Sequence, residues 1–242
     1  MYTNRVTRRF VAVAVLTLAT TAVTVGEVRA KGPTTAEAVA RLKAGNARFA
    51  ENAAEALPID AARRTALAGG QAPFATVLSC ADSRVPPEVI FNTGLGDLFV
   101  VRVAGHVTDR SVLASVEYGA EHLHTPVIVV MGHESCGAVK AAVETPAGAS
   151  LGPNLDYLIK AIRPSVARAA ADADAVGLRG AILANVEETI NDLLEQSAIL
   201  KHLAESGQVT LVGAYYELST GRAHFSEPVR MPRGVDSRTS RH

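Results

Sequence analysis

Short, uniformly apolar runs alternate along this chain with stretches whose apolar residues recur every three or four positions. The runs cover residues 74–78, 98–103, 126–131 and 209–216. They are rich in β-branched side chains and are not interrupted by polar ones, which predicts strands buried on both faces, as in a parallel sheet. The helical pattern covers 36–52, 111–122, 138–143, 155–171 and 183–206, the last with Val186, Ile190, Leu193 and Leu194 on one face. Thr34 and Thr35 each offer a cap for the first of these helices. Ser219-Thr220-Gly221 predicts a turn into a short final strand over 223–225. Strand and helix in alternation imply an α/β fold with a doubly wound, mostly parallel central sheet flanked by helices and an antiparallel C-terminal edge strand. No internal repeat and no linker marks a second domain, so residues 31–230 are expected to form one domain and the polar stretch 231–242 a loose tail.

The first 30 residues follow another pattern. Arg5, Arg8 and Arg9 precede an apolar stretch of 16 residues, 10–25, and Val28-Arg29-Ala30 supplies the small-x-small pattern of a cleavage site. A secretory signal peptide over 1–30 is expected, with export to the periplasm and no stable membrane association afterwards. An uncleaved anchor is the competing reading, although 16 residues are few for a hydrocarbon core about 30 Å thick. Arg8-Arg9 after Thr7 also matches, loosely, the twin-arginine export signal.

The 242 residues carry 24 basic and 24 acidic side chains. Without Arg5, Arg8, Arg9, Arg29 and Glu27 the mature chain holds 20 basic and 23 acidic residues, a charge of −3. Neither balance supplies the basic face that nucleic-acid binding needs. A composition of 48% hydrophobic residues with two Cys excludes collagen-like, disordered and disulfide-scaffold classes. A small substrate is expected.

Candidate chemistry collects at two strand ends. Cys80-Ala81-Asp82-Ser83-Arg84 follows the first strand and His133-Glu134-Ser135-Cys136 the third. Both lie at the carboxyl edge of the sheet, where open α/β proteins bind ligands. Two thiolates and one imidazole are a donor set that zinc prefers, with a fourth position left for water, substrate or the Asp82 carboxylate. A disulfide between the two cysteines, in an exported binding module without metal, is the competing reading. Two thiolates cancel the charge of a zinc ion, and adding Asp82 would make the cluster anionic and close it. Arg84 can instead hold Asp82 in a bidentate ion pair, so that the two form a gate. Zinc acidifies its bound water less when thiolates have neutralised it, which predicts turnover that rises above neutral pH.

At these residues the chain resembles the β-class carbonic anhydrases. Cys80-Ala-Asp82-Ser-Arg84 is similar to that family's Cys-x-Asp-x-Arg signature, and Gly132-His133-Glu-Ser-Cys136-Gly137 to its Gly-His-x-x-Cys-Gly signature. The likeness extends over 34–225 and includes Leu42-Lys-Ala-Gly45-Asn46-Ala-Arg48-Phe49. It implies reversible hydration of carbon dioxide to bicarbonate and a proton through a zinc-bound hydroxide. It implies one zinc ion per subunit on Cys80, His133 and Cys136, Asp82 and Arg84 as the catalytic pair, and Gln71 and Gly137 as substrate contacts. A homodimer or tetramer with active sites at subunit interfaces also follows from it. Val77 stands where bicarbonate-inhibited members carry tryptophan, so the likeness is to the open subclass. Glu88 and Arg102 match a structural ion pair of the family. His106 replaces an asparagine common in relatives and is either a proton shuttle or a polar loop residue, while His122 and His124 read as surface residues. The same zinc chemistry would also suit carbon disulfide or carbonyl sulfide.

Overall fold

A computed structural model of the chain describes residues 32–172 and 177–229. The leader and tail expected at the two ends lie outside these residues. Five strands, β1 Ala75–Ser79, β2 Leu98–Arg102, β3 Val127–His133, β4 Thr210–Tyr216 and β5 Ala223–Phe225, form one sheet in the order β2-β1-β3-β4-β5. The first four are parallel and β5 runs antiparallel to β4, pairing Tyr216 with Ala223 and Ala214 with Phe225. The α/β architecture expected from the alternating pattern is therefore present.

Every residue of β1 and β3 is buried, as uninterrupted apolar runs require. Alternate side chains serve two cores, because successive residues of a strand point to opposite faces. Val127, Val129 and Met131 of β3 join one core, and Ile128 and Val130 the other. Strand β2 departs from the expectation. It lies at the sheet edge, and only Leu98 of its five residues is buried.

The helices are α1 Thr35–Ala50, α2 Ala61–Leu67, α3 Pro87–Ile90, α4 Arg110–Glu117, α5 Gly137–Glu144, α6 Pro153–Ala171, α7 Gly177–Gln196 and α8 Ala198–Glu205. Of the two threonines, Thr34 caps α1. Its hydroxyl accepts from Glu37 N and the Glu37 carboxylate accepts from Thr34 N, a reciprocal pair that satisfies two otherwise free donors. The Gly45-Asn46 pair of α1 has a packing explanation. A Cβ on Gly45 would stand 1.8 Å from Phe91 O, so only glycine allows this approach. Asn46 then bridges three segments, donating to Ile90 O and Gly221 O and accepting from Ala223 N.

The continuous helix expected over 183–206 is two helices. Ser197 leaves the helical region at φ −118°, and its hydroxyl caps α8 by accepting from Leu200 N while donating to Glu117. An uninterrupted apolar periodicity hid this break, because serine in a helical pattern is equally compatible with a cap. The expected helix 111–122 likewise ends in a different form, with α4 passing into a π-helical turn, Tyr118–His122. Helices α2 and α3 are short and were not indicated by the apolar pattern.

Candidate metal centre

The parallel register sets Ser79 beside Met131, so β1 and β3 end side by side and deliver Cys80 and His133 to one point. The chain then turns sharply at Ser135, which lies in the left-handed region at φ 55°. Bulkier residues rarely adopt that conformation, and here it brings Cys136 back beside His133. Cys136 stands immediately before α5 and its side chain makes no capping bond. Cys80, His133 and Cys136 are all buried, and their donor atoms lie within 4.8 Å of one another.

The chemistry of this cluster fits a metal ion. His133 Nδ1 donates to Glu134 O at 2.9 Å, which directs the unprotonated Nε2 into the cluster. Among the described residues, His133 Nε2 and Ser79 Oγ are the buried side-chain polar atoms without a hydrogen-bond partner. Both thiols are free, so the competing disulfide is not formed. The Cys80 thiol is lowered to about 3, chiefly because it accepts a hydrogen bond from Cys136, and the same bond with burial raises the Cys136 thiol. Two sulfurs beside an unpaired imidazole nitrogen form a donor set that suits zinc, in which ligand bonds of about 2.0–2.3 Å demand a compact cluster.

Asp82 stands at the rim. Its Oδ2 is 3.9 Å from His133 Nε2, and Arg84 grips it from the other side. Arg84 Nη2 donates to Oδ2 at 2.7 Å, and Nε and the backbone N of Arg84 each donate to Oδ1 at 2.9 Å. These bonds hold the Asp82 carboxyl well below the usual carboxylate range, so it is ionised at any physiological pH. Beside Cys136, the start of α5 is open, and a Cβ on Gly137 would meet nothing within 4 Å.

The structure places three further residues singled out in the sequence. Arg102 does not pair with Glu88. Its guanidinium donates to Cys80 O at 3.0 Å and Asp82 O at 2.6 Å, carbonyls that the loop after β1 presents to the end of β2, and so fixes the loop carrying both site residues. Gln71 is not brought to the cluster within one chain. It is exposed and lines a shallow cavity with Arg64, Leu67, Leu95 and Gly96. His106, read as a proton shuttle or a polar loop residue, does not lie on the surface. It is fully buried, its Nδ1 is 3.2 Å from Thr189 Oγ1, and burial lowers its imidazole to about 4. His122 and His124 are exposed, as expected.

Burial of the His106 ring makes folding stability depend on pH. An ordinary histidine in the unfolded chain titrates near 6.5, so below that pH the unfolded state takes up a proton that the folded state refuses. The stabilisation is complete above about 6.5 and is lost as pH falls towards 4. Between pH 7 and 5 the expected loss is about 2 kcal/mol. Urea unfolding at both pH values should show this in the parent and a smaller loss in His106→Asn, since asparagine tolerates the local φ of 44°. Equal losses in the two proteins would refute the assignment.

The pattern of the chain did not indicate Asn185, which lies behind the cluster and donates to Gly105 O at 2.9 Å. The available signal was an amide among Ala181, Ile182, Ala184 and Val186 on the buried side of α7.

Comparison with known proteins bears on this geometry. A family model described as carbonic anhydrase matches residues 75–223. Carbonic anhydrase 2 of Mycobacterium tuberculosis is 40% identical over 187 residues, which span 75% of this chain and 88% of that protein. The carbonic anhydrase of Mycolicibacterium smegmatis is 38% identical over 197 residues, 76% of this chain and 89% of that one. Among solved structures, a tetrameric β-carbonic anhydrase of Sordaria macrospora superposes with a TM-score of 0.62 at 26% identity, covering 69% of this chain and 87% of that chain. The Coccomyxa β-carbonic anhydrase bound to acetazolamide gives 0.63 at 26% identity, covering 82% and 89%.

Proposed function

Since this chain belongs to the β-class carbonic anhydrases, we propose that it hydrates carbon dioxide reversibly at a zinc ion held by Cys80, His133 and Cys136, with Asp82 and Arg84 controlling the fourth position. The observation that carries this reading is the buried cluster of Cys80, Cys136 and the unpaired His133 Nε2, with an arginine-clamped carboxylate at its rim.

Zinc on two thiolates and one imidazole supplies a Lewis acid that acidifies water for attack on carbon dioxide, less strongly than beside three neutral imidazoles because the thiolates cancel its charge. His133 contributes a neutral ring whose orientation is set by the Nδ1 bond to Glu134 O. Arg84 keeps the Asp82 carboxylate turned to the rim, where Asp82 can accept a hydrogen bond from the attacking water without occupying its place. The open backbone at Gly137 leaves room for a linear triatomic substrate beside Cys136. Gln71 would contact that substrate from a second copy of the chain, in an oligomer of the kind suggested by the likeness to a tetrameric Sordaria relative.

Stopped-flow hydration by the zinc-loaded protein tests the reading. The rate is expected to rise between pH 7 and 9. A flat or falling profile would remove the charge argument, and absence of hydration with one zinc per chain confirmed would overturn the proposed substrate.

A further inference from the structure

Asn185 is 3% exposed, and each polar atom of its side chain is engaged. Nδ2 donates to Gly105 O at 2.9 Å, Oδ1 accepts from Ser165 Oγ at 3.1 Å, and the amide nitrogen lies 3.4 and 3.5 Å from the two ring nitrogens of His106. The segment it holds has two successive residues in the left-handed region, Gly105 at φ 66° and His106 at φ 44°. Histidine enters that region more readily than most side chains, though still uncommonly. A Cβ on Gly105 would approach Ile162 Cδ1 to 2.7 Å, so the turn is packed as well as bonded. In this conformation the Gly105 N–H reaches Cys80 Sγ at 3.4 Å.

We propose that Asn185 is a positioning residue for the metal centre: by fixing the carbonyl of Gly105 it holds the Gly105–His106 turn so that the Gly105 N–H donates to the Cys80 thiolate. The inference rests on the reading of Cys80 as a metal ligand. A thiolate that accepts an N–H bond is fixed in direction and donates less electron density to its metal, so the bond sets both affinity and electronic character. The neighbours distinguish this role from simple packing. Thr189 is as buried as Asn185, sits on the same helix and bonds His106, yet it makes no contact with the Gly105 carbonyl.

The full chain loaded with cobalt(II) reads the sulfur directly, through the thiolate-to-metal charge-transfer absorption and through competition for the metal with a chelator. Asn185→Ala is expected to move the band to lower energy and to weaken cobalt binding about tenfold or more, while Thr189→Val keeps the parental band and affinity. If the alanine variant does not fold, Asn185→Thr, which keeps the volume but cannot span to the carbonyl, is expected to show the same changes. A parental band and affinity in a folded Asn185 variant would overturn the proposal, as would an equal loss in Thr189→Val. A parent protein without thiolate charge transfer would overturn the metal-centre reading itself, and this proposal with it.

Discussion

Replacing Cys136 by serine is expected to strip the protein of stoichiometric zinc and to return carbon dioxide hydration to the uncatalysed rate. The reason is charge rather than shape. Cys136 is 1% exposed and faces Cys80 and His133 within the 4.8 Å cluster. Two thiolates there would cancel a divalent charge in a site with little water, and a serine hydroxyl stays protonated near neutrality. The variant would have to hold one net positive charge among buried apolar residues, which burial strongly disfavours. Loss of affinity on the order of a thousandfold, about 4 kcal/mol, is a reasonable scale for one missing anionic ligand. The fold should survive, because the Cys136 side chain makes no capping bond to α5. Metal analysis after dialysis and stopped-flow hydration give the two readings. Thermal unfolding gives a third, since a chelator should lower the melting temperature of the parent and leave the variant unchanged. Full zinc content with parental hydration in Cys136→Ser would contradict the assignment of the ligand.

The residues of the candidate metal cluster were legible in the sequence because of where their strands end. Uninterrupted apolar runs place β1 and β3 in a parallel interior, and the polar residues directly after such runs emerge on one edge of the sheet. Cys80, Asp82, Arg84, His133 and Cys136 therefore meet in space for a reason visible in their order along the chain. The residues that hold them were not legible. Arg102 could be paired with Glu88 by analogy, but its contacts to Cys80 O and Asp82 O depend on backbone carbonyls, which carry no sequence signal. His106 was a polar residue in a loop until packing showed it buried against Thr189 and Asn185. The break at Ser197 escaped because an apolar face continues across it from α7 to α8, and periodicity records the face rather than the backbone. Gln71 marks a different limit, since one chain does not place it at the site at all.

Arg84→Ala is expected to lower hydration at pH 7 by about ten- to a hundredfold, the scale typical for a residue that orients a metal-site group, and by less at pH 9. Asp82 is ionised in the parent, with its carboxyl held well below the usual range first by the Arg84 hydrogen bond. Without Arg84 it would return towards an ordinary aspartate value near 3.9 and would still be ionised at neutrality. The variant therefore changes where the carboxylate can go, not whether it is charged. Its Oδ2 already lies 3.9 Å from His133 Nε2, and on the proposed reading the bidentate grip of Arg84 opposes a further approach. A released Asp82 would compete with solvent for the fourth position, and that competition weakens as hydroxide becomes more abundant, which gives the smaller loss at high pH. Half of the Arg84 side chain is exposed, so the ion pair adds little to folding and the unfolding midpoint should barely move at neutral pH. Below the unfolded aspartate value the small stabilisation from the lowered Asp82 is lost in the parent as well, so the two proteins should converge in acid. The double variant Asp82→Asn/Arg84→Ala separates release of the carboxylate from loss of the guanidinium's own field. Hydration by the double variant above that of Arg84→Ala would identify the freed carboxylate as the inhibitor. Hydration equal to or below the product of the two single effects would show that Arg84 acts on the substrate directly and that Asp82 is no gate.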